Sequence, residues 1–306
     1  MKNLKVIIVD PVHPNLVINL KKKFLLVKYV PGISYNELSK IIKNYHVIIL
    51  RSGLKLDKFL IQKANLLKVI ARAGVGLDNI DLDEAKKRKI KYFNIPSQSS
   101  LSVAEFAFGL LFSAARKIAC ADQQLRGNLW NKKDMYGYEI TKKNLGIVGL
   151  GDIGSKIARI GKKFKMNIIA NVNNNNSKRK KQLSERGISL TSLSNLMKKS
   201  DFIIIVVPLY KKTINLINSK NLKFLKKNSI IINISRGGIV NENHLYQVLK
   251  KKKIFAAATD VFQNEKKYNK LFKLENIVVT PHIGAMTYEA QKRIAVALEK
   301  KLLSKL

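Results

Sequence analysis

One cysteine, one tryptophan and six prolines occur in 306 residues, and acidic side chains number only 20 against 58 Lys and Arg. The lone Cys120 has no partner for an intrachain disulfide, which suits a reducing compartment. No apolar run approaches the roughly 20 residues needed to cross a bilayer. The N-terminus MKNLKVIIVDP passes into a strand-like run without a small-residue cleavage site, so a signal peptide is not expected. No His, Cys or carboxylate cluster has metal-ligand spacing, and no metal site is expected. These absences leave a cytoplasmic globular protein as the expectation, with enough apolar content, 46%, for one or two full cores.

The scarcity of acid gives a formal net charge of +38. Such a balance is compatible with a polyanion partner. A dedicated surface would concentrate it, whereas here it recurs in short pieces: Lys21 to Lys23, Lys86 to Lys91, Lys178 to Lys181, Lys250 to Lys253, and Lys300 with Lys301. Almost all of it is lysine, and it lacks the interleaved aromatics on which single-strand binders stack bases. A compositional bias towards Lys, Asn and Ile accounts for it, and no dedicated nucleic-acid or membrane partner is expected.

Short apolar runs alternate with amphipathic stretches: KVIIV (5–9), LVKYV (26–30), VIIL (47–50), KVIA (68–71) and KYFN (91–94). Ser34-x-x-Glu37 and Asp81-x-x-Glu84 have capping-box form. The alternation predicts an α/β fold with a parallel sheet covered by helices. Pro96-Ser97-Gln98-Ser99-Ser100 interrupts it, and the run SVAEFAFGLLFSAARKIA predicts one long helix from about Ser102 that includes Cys120. Six further apolar strands then follow, at 144–150, 167–172, 202–207, 229–234, 255–261 and 276–280, which suits a second doubly wound sheet. The final amphipathic stretch, about 287–305, is too short for a domain and is expected to pack on the first half. The expected organisation is therefore 98–282 as a Rossmann dinucleotide-binding domain inserted into a flavodoxin-like substrate domain, 1–97 plus 283–306.

The second half opens on Gly149-Leu150-Gly151-Asp152-Ile153-Gly154 after an apolar strand and before a helix. In that context the first glycine allows the tight turn, the second lets the backbone of Gly151, Asp152 and Ile153 approach a pyrophosphate, and the third packs helix on strand. The acid that usually ends the next strand and holds the adenosine ribose is missing: the strand runs MNIIANVNNNN, with Val172 at that position. Asn171 or Asn173 is the candidate ribose contact. NAD is expected, and NADP is not excluded, because no acid repels a 2′-phosphate and Lys178 and Arg179 lie downstream.

Three stretches place polar residues just past sheet strands: INISRGGIVNE (232–242), ATDVFQNE (258–265) and VTPHIG (279–284). Alone, a histidine such as His282 is more often a structural ring in a turn. Together with a carboxylate-binding fork, Arg236, and an acid able to orient it, Glu265, it becomes a candidate proton exchanger. On these motifs the sequence closely resembles the D-isomer-specific 2-hydroxyacid dehydrogenases over nearly its whole length. The resemblance implies that His282 is the acid/base, Glu265 its partner and Arg236 the holder of the substrate carboxylate. It also implies that Asp260 meets the nicotinamide carboxamide, that the Pro208 loop lines the cofactor, and that the long helix joins two subunits in a homodimer.

Within that family, ARAGVGLDNID (71–81), LRSGLKLD (50–57) and NIPSQSSLSVAE (94–105) resemble the branch whose substrate is a phosphorylated hydroxy acid. Arg51 and Arg72 would face the phosphate, and the amides of Ala73, Gly74 and Val75 the carboxylate, in keeping with the need of a doubly charged group for fixed donors. Two positions depart from the family pattern: Val172 for the ribose acid and Val206 for a histidine before Pro208. The chain ends at 306 without the C-terminal regulatory module of longer relatives, so feedback through such a module is not expected. His13, His46 and His244 are read as structural. Two rivals stand beside the dehydrogenase of a phosphorylated acid: a glyoxylate or hydroxypyruvate reductase of the same family, and a non-catalytic dinucleotide-sensing regulator.

Overall fold

The computed structural model describes residues 3–173 and 176–306, so Asn174 and Asn175 of the asparagine patch lie outside the described residues. Among the described residues, parallel strands build two sheets, each within its own compact unit. Unit 1 comprises Met1–Ser99 with Ala285–Leu306, and unit 2 comprises Ser100–Gly284.

Unit 1 contains β1 (Lys5–Ile8), β2 (Leu26–Tyr29), β3 (Val47–Leu50), β4 (Val69–Arg72) and β5 (Lys91–Asn94). Their order, β2-β1-β3-β4-β5, is the flavodoxin-like one. β3 and β4 are buried throughout because helices cover both faces. One face packs with Leu16, Val17 and Leu20 of the first helix, Pro14–Lys21, and with Ile294, Ala295, Leu298 and Leu302 of the last helix, Tyr288–Lys305. Each fully buried Leu or Ile contributes roughly 1.5–3 kcal/mol, which explains why the terminal segment belongs to this unit. Glu299 secures it from outside, accepting from Lys23 Nζ at 2.7 Å and Asn19 Nδ2 at 2.8 Å. The Ser34–Glu37 capping box forms in both directions. At Asp81 only the forward half is present, the side chain accepting from Glu84 N at 2.9 Å.

Unit 2 contains β6 (Asn144–Val148), β7 (Asn167–Asn171), β8 (Ile188–Leu190), β9 (Phe202–Ile205), β10 (Ile230–Asn233), β11 (Ala256–Thr259) and β12 (Ile277–Val279). Their order, β12-β11-β10-β9-β6-β7-β8, is the Rossmann arrangement extended by one strand. Two expectations need correction. Six strands were expected here, and β8 is a seventh: three residues long and at the sheet edge, it has too little apolar alternation to register. The long helix is also two helices, Ser100–Ala115 and Ile118–Arg126, broken where Lys117 adopts φ +55°. Cys120 therefore sits in the second, shorter helix, which buries none of its residues fully. Ser102 Oγ donates to the Gly284 carbonyl at 2.8 Å, so the entry and exit of unit 2 lie side by side. Among the described residues no helix is long and apolar enough to cross a membrane.

Candidate active site

The glycine loop lies between β6 and the helix Asp152–Lys163, whose N-cap is Gly151. Gly149 adopts φ +99°, which favours glycine, and a Cβ there would meet Val207 at 2.8 Å and the Val206 carbonyl at 3.0 Å. A Cβ on Gly154 would collide with the Gly149 carbonyl, so helix and strand touch backbone to backbone. Gly151 is the opposite case: a Cβ there would enter open space at the helix N-terminus. This is the cradle that a dinucleotide pyrophosphate needs, with the amides of Gly151, Asp152 and Ile153 at the positive end of the helix. Val206 packs its side chain 3.3 Å from where a Gly154 Cβ would stand, so it shapes the floor under the loop. The Pro208 carbonyl accepts from Thr213 Oγ1 at 2.7 Å, which fixes the loop beyond β9. At the ribose end, Asn171 is committed to structure, its amide donating to the Thr191 carbonyl at 2.9 Å. Asn173 is exposed.

The C-terminal ends of β10, β11 and β12 carry the other candidates. Three residues past β10, Arg236 sits in a turn built by Asn233, whose Oδ1 accepts from Ser235 N (3.1 Å) and Ser235 Oγ (2.6 Å) and whose Nδ2 donates to the Arg236 carbonyl (3.2 Å). Arg236 Nη1 donates to the Ser235 carbonyl at 2.8 Å, holding the guanidinium back on its own turn. Gly237 lies so close to Phe262 that any Cβ would overlap that residue's carbonyl. Glycine is thus required where the Arg236 turn presses on the segment after β11.

His282 Nδ1 is 2.8 Å from Glu265 Oε1, with the two side chains 28% and 39% exposed. A carboxylate can only accept, so the imidazole donates through Nδ1–H and presents Nε2 as the atom able to take a proton. The backbone of His282 has φ +58°, the left-handed region that costs a non-glycine residue about 1 kcal/mol or more. Asp260 explains how it is held. Its carboxylate is 2% exposed and accepts from Thr280 Oγ1 (2.7 Å), Ile283 N (2.8 Å) and Gly284 N (2.9 Å). Donors on both sides of His282 thereby converge on one buried anion. A carboxylate offers about four acceptor positions, and three are spent on this loop.

The expected substrate residues all belong to unit 1. Arg51 follows β3, donating to the Pro11 carbonyl at 3.3 Å and lying 3.1 Å from Met286 Sδ. Burial lowers its pKa from the ordinary value, and the neighbouring Asp10 charge acts in the opposite sense. Two braces hold its loop. Asp10, 4% exposed at the end of β1, accepts from Arg51 N at 2.5 Å, and a Cβ on Gly53 would collide with the same carboxylate. Asn79 donates to the carbonyls of Arg51 (2.6 Å) and Leu54 (2.8 Å). Arg72 differs from a surface cation: it is 7% exposed and its guanidinium lies over Gly74, where a Cβ would overlap it. Of the three amides expected to meet a carboxylate, Ala73 N is bonded to the Leu50 carbonyl (2.8 Å) and Gly74 N to that of Arg72 (2.9 Å). The Val75 carbonyl accepts from Asn94 Nδ2. Asp10, Asn79, Asn233 and Gly237 were not singled out from the sequence. The legible sign was an acid ending a buried strand in Asp10; nothing local marks the others.

A Rossmann sheet whose glycine loop fits a dinucleotide, with an imidazole–carboxylate pair and an arginine on the neighbouring strand ends, defines a nicotinamide-dependent oxidoreductase. Residues 108–284 match the family model described as D-isomer specific 2-hydroxyacid dehydrogenase, NAD binding domain. The chain belongs to that family. It is 40% identical to D-3-phosphoglycerate dehydrogenase of Methanocaldococcus jannaschii over 98% of its own length and 57% of the relative's, so it spans little more than half of that protein. It is also 40% identical to hydroxypyruvate reductase of Thermotoga maritima, over 89% of this chain and 88% of that one. The crystal structure of D-lactate dehydrogenase from Aquifex aeolicus, complexed with NAD and lactic acid, superposes with a TM-score of 0.84 at 27% identity, covering 98% of this chain and 94% of that one.

Proposed function

We propose that the protein oxidises 3-phospho-D-glycerate to 3-phosphohydroxypyruvate with NAD(P), an entry step to serine biosynthesis. The observation carrying this reading is the 2.8 Å contact between His282 and Glu265 on the strand ends beside Arg236. Arg236 binds the substrate carboxylate through its planar fork. His282 Nε2 removes the hydroxyl proton, with Glu265 fixing the tautomer through Nδ1–H and stabilising the imidazolium that results. The nicotinamide, when bound, accepts the hydride. Gly151, Asp152 and Ile153 hold its pyrophosphate, with Asn173 and the Pro208 loop at its flanks.

The phosphate is assigned to Arg51, whose loop is braced from two directions by Asp10 and Asn79. With its backbone held in this way, Arg51 has only its side chain left to order when it binds a dianion. Arg72 supports the same region from beneath Gly74, and Val75 and the following backbone face the carboxylate. Identity to the relatives is equal for phosphoglycerate and hydroxypyruvate enzymes, so the substrate choice rests on Arg51. It is tested by kcat/KM on phosphorylated and unphosphorylated 2-hydroxy and 2-oxo acids, each with NAD and with NADP. Arg51→Ala should lower kcat/KM for 3-phosphoglycerate about 100-fold, the worth of a lost charge-assisted pair, and change the unphosphorylated acids less than about threefold. Equal efficiency on both classes, unaffected by Arg51→Ala, would instead assign a hydroxypyruvate or glyoxylate reductase.

A homodimer is proposed on the segment following the helix Ser100–Ala115. Ile118, Leu125, Leu129, Trp130 and Tyr136 are all exposed there, the last two by 83% and 84%. Monomers seldom leave so many large apolar groups together in water. Light scattering should give twice the 34.6 kDa chain mass, and Trp130→Ser combined with Tyr136→Ser should return it to one chain. A wild-type monomer would end this proposal.

A further inference from the structure

Glu242 opens the helix Glu242–Lys250, directly after the N-cap Asn241. An acid there is ordinarily explained by the helix dipole. Its side chain does something more specific. Oε1 accepts from the backbone N–H of Gln263 at 2.6 Å, and Oε2 accepts from Asn269 Nδ2 at 2.6 Å. Those two donors stand at the beginning and end of the loop 263–269, and Glu265 lies between them. Asn269 cannot turn its amide over freely, because its Oδ1 accepts from Leu271 N at 3.0 Å and starts the following short helix. On the other side of Gln263, Phe262 is pressed against Gly237 of the Arg236 turn. Residues 237 and 242 thus grip the Glu265 loop at 262, 263 and 269.

We propose that Glu242 is a positioning residue for the reaction: by stapling both ends of the 263–269 loop, it holds Glu265 at the distance where it orients His282. The inference rests on the reading of Glu265 and His282 as the working pair. Glu265 is 39% exposed and its neighbours on the loop are exposed as well, so burial does little to fix it. A single carboxylate accepting two short hydrogen bonds supplies that restraint. Orientation within a fraction of an ångström separates a productive acid/base pair from an idle one.

The test exchanges donor and acceptor. In Glu242→Gln the side chain keeps its shape and can still accept from Gln263, but its NH2 meets the Asn269 NH2. Adding Asn269→Asp restores the contact with reversed polarity and unchanged total charge, and leaves an oxygen to cap Leu271. Glu242→Gln should lower kcat about tenfold, with NAD affinity and the thermal midpoint close to wild type, and the double variant should regain most of the loss. Backbone amides of 263–267 should exchange faster in Glu242→Gln and return to wild-type rates in the double variant. Unchanged kcat in Glu242→Gln overturns the proposal, as does a loss that the double variant leaves unrepaired. His282→Ala serves as the reference: if it retains full turnover, the reading of the pair fails. In that case, or if no acid in the panel is turned over, unaltered amide exchange in Glu242→Gln overturns the staple on its own.

Discussion

His282→Ala is expected to lower kcat by about three orders of magnitude while NAD affinity stays within about twofold. Among the described residues on these strand ends, His282 is the one group that can both accept and return a proton near neutral pH, and alanine removes it. Arg236 stays charged throughout, and Glu265 is already engaged as acceptor to Nδ1. Binding should survive because the dinucleotide cradle is built by β6 and the helix Asp152–Lys163, far along the chain from the loop after β12. A fluorescence titration with NAD, run beside steady-state rates, separates the two effects. Relief of the φ +58° backbone does not change with alanine, which has the same steric objection to that region, so stability should move little. Retained turnover would return His282 to the status of a structural ring in a turn.

Much of this site was legible from residues alone, for reasons that differ by residue. The glycine loop was visible because its chemistry is local: turn, approach and packing fall within six consecutive positions. Arg236, Glu265 and His282 each sit just past a strand, so the sequence pattern placed them on one edge of one sheet once the strands were recognised. The braces were not visible. Asp260 to Gly284 spans 24 residues and Asp10 to Arg51 spans 41, and only the folded register brings such partners together. The packing of Arg72 was hidden for a related reason: only the folded chain shows that the missing Cβ of Gly74 makes room for its guanidinium. The break at Lys117 escaped because the apolar pattern runs on across it, and only the left-handed residue ends the first helix.

Asp260→Asn is expected to destabilise unit 2 by roughly 2–4 kcal/mol and to reduce kcat by at least tenfold, out of proportion to any change in NAD affinity. The carboxylate is nearly sealed from water and accepts three hydrogen bonds, two of them from backbone amides. Asparagine offers one oxygen, so whichever way its amide turns, its NH2 faces either Ile283 N–H or Gly284 N–H. A buried amide left without an acceptor costs more than the bond itself contributed. The Thr280 hydroxyl can rotate to accept, which makes Thr280→Val the milder change, at about 1 kcal/mol. Gly284→Ala falls between them, since its Cβ would stand 3.2 Å from Asp260 Oδ2 and 3.4 Å from Phe106. The graded series distinguishes two roles for Asp260. If it chiefly meets the nicotinamide carboxamide, Asp260→Asn weakens NAD binding and Thr280→Val does nothing. If it chiefly clasps the loop, thermal midpoint and kcat fall together across all three variants, because the anion that holds residues 280, 283 and 284 is also what keeps His282 in a backbone conformation it would otherwise leave.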